Sequence, residues 1–275
     1  MGKQLAATIV SVLCLLSASP SASYSLLGTA WGNGPNTARF LVDPITGVIG
    51  KRAGGSATWS VMGAGFSNAA YDSNDHVGNT QAITTLGVSG FTFDDYSSMF
   101  NAAFNVWAST AFWINLGQVT DGGVNAGASQ ASGGHLGDIR IAAWELTAPD
   151  VLAHAYQPGT PALYGMYGTL LGDVHFDVNH VWVDDPFDST SDPDIDLFTV
   201  ALHEFGHALG LGHSDDLDSV MYPHYSGARR TLTADDRVGI LSIYGVMPEP
   251  ETYAMMLAGL GLLGFVARRG KNKPW

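Results

Sequence analysis

Apolar residues fall at helical spacing at Phe100, Phe104 and Trp107, which predicts a helix over 96–110 with one buried face. Asp94 or Asp95 stands ahead of it as a candidate cap. Strict alternation takes over in Gly137-Asp138-Ile139-Arg140-Ile141-Ala142, and short β-forming runs occupy 39–42, 58–62, 151–155 and 173–177; these read as strands. Residues 63–90 are small and polar, and read as an insertion loop or an irregular region. His76 within them, beside Asp75, could bind a metal there, but a single histidine in a polar loop reads first as an exposed residue without that role. The stretch 184–196 is dense in aspartate and reads as a solvated acidic loop, with calcium binding as the alternative and no EF-hand spacing to favour it; it supplies Asp194 or Asp196 as the cap of a following helix. Leu232-Thr233-Ala234-Asp235-Asp236 opens a last helix that runs to about Gly245.

Two apolar runs lack any period and lie near the ends. Lys3, the run 5–16 and Ser17–Ser23 have the three parts of a secretory signal peptide, with Ser21 and Ser23 at the positions before cleavage. The only cysteine, Cys14, lies in that run, and the bulky Val12 and Leu13 ahead of it do not suit a lipoprotein anchor. The expected mature chain, from Tyr24, therefore contains no cysteine. At the other end Pro248-Glu249-Pro250 precedes the apolar, glycine-rich run 253–267, closed by Arg268, Arg269 and Lys271. That run is short for an ordinary membrane span of about 20 residues, with its basic residues on one side only.

The chain has 275 residues, 34 of them glycine, and a formal net charge of −13. It is long enough for one sizeable core, and its acidity argues against nucleic acid or an anionic membrane surface as a partner. There is no internal repeat of solenoid or glycine–aspartate calcium type.

Most of the chemistry lies in residues 203–213, HEFGHALGLGH. His203 and His207 are four apart and share one helix face, where two imidazoles can grip one cation. Glu204 lies one step round, within reach of a water on that cation. Gly210 is a helix-ending glycine able to take positive φ, so the chain can turn and bring His213 in as a third ligand. Three neutral imidazoles with a fourth position open describe a catalytic zinc site, with Glu204 as general base.

The extended HExxHxxGxxH pattern, followed by Ser219-Val220-Met221-Tyr222-Pro223, resembles the metzincin metallopeptidases. His213-Ser214 and Met221-Tyr222-Pro223-His224-Tyr225 are similar to the matrixin branch, as are Phe104-Asn105-Val106-Trp107 and the final helix. The resemblance runs from about Tyr96 to Gly245 and is thin before Phe93. It implies an α/β (α+β) zincin-like fold: a twisted mixed sheet, a long active-site helix and a small carboxy-terminal subdomain. It implies that 151–155 is the edge strand that pairs with a bound peptide, that Pro223 and Tyr225 wall a substrate pocket, and that Met221 floors the three histidines without being a ligand. The tail resembles the PEP-CTERM sorting signal of Gram-negative bacteria, which an exosortase removes. The expected division is signal peptide 1–23, peptidase domain 24–247 and sorting segment 248–275, with transient membrane association through the tail.

Vertebrate matrixins hold a second zinc with three histidines and an aspartate. Here His154 and His175 match two of those histidines, while the short loop 139–153 contains none; His135, Glu145 or Asp150 are the candidates to complete an altered site. One zinc per chain is the expectation. Asp138 and Asp173 match carboxylates of one family calcium site and Asp177 of another. The expected function is a zinc endopeptidase, secreted or on the cell surface, acting on protein or peptide. The alternative is a non-catalytic surface- or matrix-binding module, which would have no need of Glu204. The Tyr222-Pro223 pair and the missing calcium repeats speak against an astacin- or serralysin-like chain.

Overall fold

The computed structural model describes residues 24–26, 30–31, 38–39, 55–67, 75–111, 114–126, 137–158, 170, 172–189, 193–245 and 257–260. The expected signal peptide with Cys14, His135 and most of the carboxy-terminal tail lie outside them.

The scaffold is a mixed sheet of six strands: β4 (Gly55–Val61), β5 (His76–Gln81), β6 (Ile114–Gln118), β7 (Ile139–Leu146), β8 (Ala153–Ala155) and β9 (Val174–Asp177). Its order is β6-β4-β7-β9-β8. β4, β6, β7 and β9 are parallel, while β8 runs antiparallel to β9 at one edge. β4 and β5 share one side of β7: β4 pairs with Ile139–Ile141, and β5, antiparallel, with residues from Ala143 to Leu146.

Alternation along β7 and β9 sends side chains to two buried faces. Ile139, Ile141, Ala143, Val174 and Phe176 join the main core with the helices α1 (Phe93–Thr110) and α2 (Leu197–Ala208). Ala142 and Trp144 join a smaller cluster with Met62, Leu146 and Leu170 on the other face. Arg140 is buried on that second face, where its guanidinium meets both oxygens of Asp121 at 2.8 and 2.9 Å and the carbonyl of Val124 at 2.7 Å. A buried guanidinium is tolerable only when so paired.

The two helices meet through aromatic side chains at the predicted positions. Phe104 stacks on Phe205 with centroids 3.7 Å apart, and Trp107 donates its indole N–H to the Leu202 carbonyl at 2.9 Å. α1 starts earlier than the spacing predicts. Its cap is Thr92, and Asp95, expected there, instead accepts hydrogen bonds from the Thr92 N–H and hydroxyl at 2.8 and 2.6 Å. This is a reciprocal capping box.

The small polar stretch after Met62 is more regular than its composition suggests. It contains β5 and a short 3-10 helix, Ile83–Leu86, whose Ile83 and Leu86 are buried. Small pairs complete the fold. β1 (Tyr24–Leu26) pairs with β12 (Leu211–Ser214), β2 (Ala30–Trp31) with β3 (Ala38–Arg39), and β10 (Val181–Val183) with β11 (Asp194–Asp196). The last helix, α3 (Ala234–Tyr244), carries Thr233 as its cap.

Candidate active site

The helix that carries the site begins where its sequence says it should. Asp196 accepts hydrogen bonds from the N–H and hydroxyl of Thr199 at 3.0 and 2.6 Å, satisfying donors that the first helical turn leaves unpaired. Arg230 also reaches this carboxylate. α2 ends just after Ala208, and Gly210 takes φ +104°, a conformation that disfavours any residue with a Cβ. The reversal turns the chain into β12, which carries His213.

His203, His207 and His213 thereby come together, with one ligand atom from each lying within 4.8 Å of the others. Their ring centroids are 4.6, 4.8 and 5.4 Å apart. His203 Nδ1 faces the Val220 carbonyl and His207 Nδ1 the Leu211 carbonyl, each at 2.7 Å. With a proton on Nδ1 given to a carbonyl, each Nε2 keeps its lone pair for a cation. Burial lowers the pKa of His203 to about 4 and that of His207 to about 3, so both stay neutral well into the acid range. This donor set suits zinc.

Glu204 is buried in the same place. Burial alone raises its carboxyl to about 8, and its Oε2 has no hydrogen-bond partner among the described residues. Met221, wholly buried, lies against the helix where Gly206 leaves room: a Cβ at 206 would collide with the Met221 sulfur and reach Trp107 at 3.0 Å.

The turn holding Met221 is tied from three directions. Ser214 donates its N–H to the Met221 carbonyl at 2.9 Å. Ser219 Oγ donates to Asp236 at 2.5 Å, and the Val220 N–H donates to the other Asp236 oxygen at 3.1 Å. The sequence marked Asp236 only as a residue opening α3. Its second role required the tertiary fold, although a Thr-x-x-Asp box placed beside a Met-turn was the available signal.

A cleft of about 650 Å3 runs over these residues. The edge strand β8, with Val151 and Leu152 before it, forms one wall; Tyr222, Pro223, His224, Tyr225 and Gly227 form the other. Tyr225 donates its hydroxyl to Asp188 and accepts from the Asp196 N–H at 2.9 Å, so the pocket wall is fastened to the cap of α2.

The remaining candidates separate into two groups. Asp138, Asp173 and Asp177 serve as acceptors inside the sheet, from Thr58 N–H at 2.7 Å, Arg140 N–H at 3.0 Å and Leu146 N–H at 2.9 Å. Among the described residues they form no close cluster of three ligands. His154 and His175 do belong to one, and the third member is His76. The sequence reading of His76 as an exposed loop residue is corrected here: it opens β5 and is 5 % exposed. Pairing of β5 on β7 carries it there, a contact that no local pattern announces. Glu145 and Asp150 are not part of this group.

Comparison with known proteins agrees with this geometry. The family model for matrixin matches residues 80–245, more than half of the chain, and that for the PEP-CTERM protein-sorting motif matches 248–270. The chain is 48 % identical over 99 residues to mouse matrix metalloproteinase-25, covering 34 % of this chain and 14 % of that protein. It is 41 % identical over 95 residues to karilysin of Tannerella forsythia, covering 34 % and 18 % respectively. To rabbit (Oryctolagus cuniculus) macrophage metalloelastase it is 35 % identical over 167 residues, covering 58 % and 32 %. The matched stretch spans a third or less of each relative's length. With a mixed sheet, a histidine triad on the second helix and its following strand, and a family match over most of the described core, the chain belongs to the matrixins and carries a PEP-CTERM sorting motif behind that domain.

Proposed function

We propose that this protein is a zinc-dependent endopeptidase that cleaves peptide bonds in extended protein segments. The observation that carries the reading is the convergence of His203, His207 and His213 beside a buried, unpaired carboxyl, on the floor of a cleft walled by a sheet edge. His203, His207 and His213 would hold a zinc ion, which when bound would supply Lewis-acid chemistry toward the scissile carbonyl and an attacking water. Glu204 takes the proton from the attacking water and delivers it to the leaving amine. Burial raises its pKa to about 8 in the metal-free chain, and a dication on the three imidazoles would favour the ionised carboxylate that acts as the base.

The rest of the cleft positions the substrate. β8 lies at the sheet edge, so an extended peptide adds to it as another strand through backbone hydrogen bonds. Pro223 and Tyr225 line the side of the cleft facing β8 and bound the pocket for the residue after the scissile bond. The matrixin match over 80–245 includes the histidine triad and the cleft wall, and the similarity to karilysin and to macrophage metalloelastase supports a protein substrate.

The division proposed with this reading is a signal peptide over 1–23, the peptidase domain over 24–247 and a sorting segment over 248–275; the family matches themselves cover 80–245 and 248–270. The PEP-CTERM motif implies delivery to a bacterial cell surface and processing of the tail by an exosortase. No described helix is long and apolar enough to cross a membrane, and Leu257 and Leu260 in the tail are exposed.

The test is Glu204→Ala. The variant should retain its zinc, since all three imidazoles remain, and lose gelatin or casein cleavage by about 10²–10⁴-fold. Full activity in the variant, or cleavage undiminished by a chelator in the parent, would overturn the mechanism.

A further inference from the structure

Arg140 projects from β7 onto the face of the sheet opposite the main core and is fully buried there. Four oxygens of one loop, residues 119–126 after β6, meet its guanidinium. Asp121 Oδ2 and Oδ1 accept from Nε and Nη2 at 2.8 and 2.9 Å. The carbonyls of Val124 and Asn125 accept from Nη2 and Nη1 at 2.7 and 3.4 Å. The loop and β4 are arranged around the same carboxylate: Gly123 donates its N–H to Asp121 Oδ1, and Ser60 its hydroxyl to Asp121 Oδ2, each at 2.9 Å. A bidentate carboxylate with two backbone carbonyls is a donor set that suits a hard divalent cation. Here an arginine fills it.

The carboxylates matched to calcium by their sequence do not form such a set. Ile141 pairs with Val174, so the register puts Asp173 beside Arg140, and Asp138 is two positions from Arg140 on its own strand. All three side chains therefore share one face of the sheet, with the arginine next to both acids. Asp138 Oδ2 accepts from the N–H and hydroxyl of Thr58 at 2.7 and 3.0 Å, and Asp173 Oδ1 accepts the Arg140 N–H at 3.0 Å. Calcium takes about six to eight oxygens, whereas among the described residues Asp121, Asp138 and Asp173 form no close group of three ligands. A dication here would also stand beside a buried guanidinium, where low dielectric makes like charges repel strongly.

We propose that Arg140 is a built-in cation that takes the place of a calcium ion on this face of the sheet. Its charge is covalently attached, so its occupancy does not depend on the free calcium concentration, as a bound ion's would. The guanidinium ties the loop after the edge strand β6 back across β4 to β7, and holds Ala126 in the cluster with Met62 and Trp144. The loop accordingly stays ordered in calcium-poor surroundings. This inference concerns the scaffold and does not rest on the peptidase reading.

Hydrogen exchange over residues 114–126, followed by mass spectrometry on the zinc-loaded Glu204→Ala chain, gives a local readout with proteolysis absent. The N–H groups of Val119, Gly123 and Ala126 donate to Trp59, Asp121 and Ser67, and their protection should be the same in calcium-free buffer and in millimolar calcium. Adding Arg140→Met should speed exchange there by about tenfold or more in calcium-free buffer, while α1 and α2 keep their protection. Two results would overturn the proposal: a gain in protection when calcium is added to the chain that keeps Arg140, or an Arg140→Met chain whose loop is as protected as its parent's. Should Arg140→Met fail to fold, the calcium comparison on the chain that keeps Arg140 decides by itself.

Discussion

Gly206 lies between Glu204 and His207 and does its work by lacking a side chain. A Cβ there would strike the Met221 sulfur and press on Trp107 at 3.0 Å, in a core with no room to give. Gly206→Ala should therefore destabilise the protein by about 1–3 kcal/mol, despite Ala being the better helix former, with the loss read by denaturant unfolding. Glu204 gives a second test at this scale. Burial raises its folded pKa to about 8 from an ordinary 4.5, so the folded metal-free chain holds a proton that the unfolded chain has released. That contribution is fully present below about pH 4.5 and is lost as pH rises through 8. Chelator-treated parent protein should lose stability across this window relative to metal-free Glu204→Gln, which has no carboxyl to titrate. Parallel stability–pH curves would show that Glu204 is already ionised without metal.

At the scale of elements, the third histidine is held by more than the glycine turn that delivers it. β1 pairs with β12, and Ser25 donates its hydroxyl to the His213 carbonyl at 2.8 Å. Tyr24 also packs against α3 beside Gly239. A chain beginning at Leu27 loses this strand and the contact of Leu26 with the main core, while the packing of α2 on α1 remains. It should still fold, release zinc to a chelator several-fold faster than a chain beginning at Tyr24, and show a lower kcat on a peptide substrate. Equal release rates would show that β12 keeps its place without β1.

For the molecule as a whole, the sorting motif at 248–270 predicts that the surface form lacks its basic tail. Intact mass of protein from the native host should correspond to a chain starting near Tyr24 and ending near Pro250. A mature form retaining Arg268 would rule out processing of the tail.

The catalytic trio was legible from residues 203–213 because its geometry is local. A four-residue helical spacing, one glycine able to turn left-handed and a histidine three residues on are enough to specify three converging imidazoles. Helix capping by Asp196 and the aromatic face of α1 were legible for the same reason, since each depends on neighbours within a turn or two. The strands over 151–155 and 173–177 could be placed by pattern, and their edge position by resemblance. Contacts between distant segments were not legible. Asp236 holding Ser219, and Arg140 buried against Asp121, are decided by how the elements pack. His76 shows this most plainly: its polar, glycine-rich surroundings describe a surface loop, and only the pairing of β5 along the half of β7 that β4 leaves open carries it against His175, 99 residues away. Backbone pairing across the sheet is non-local, and short-range hydrophobic patterns do not encode which strand will take a vacant edge.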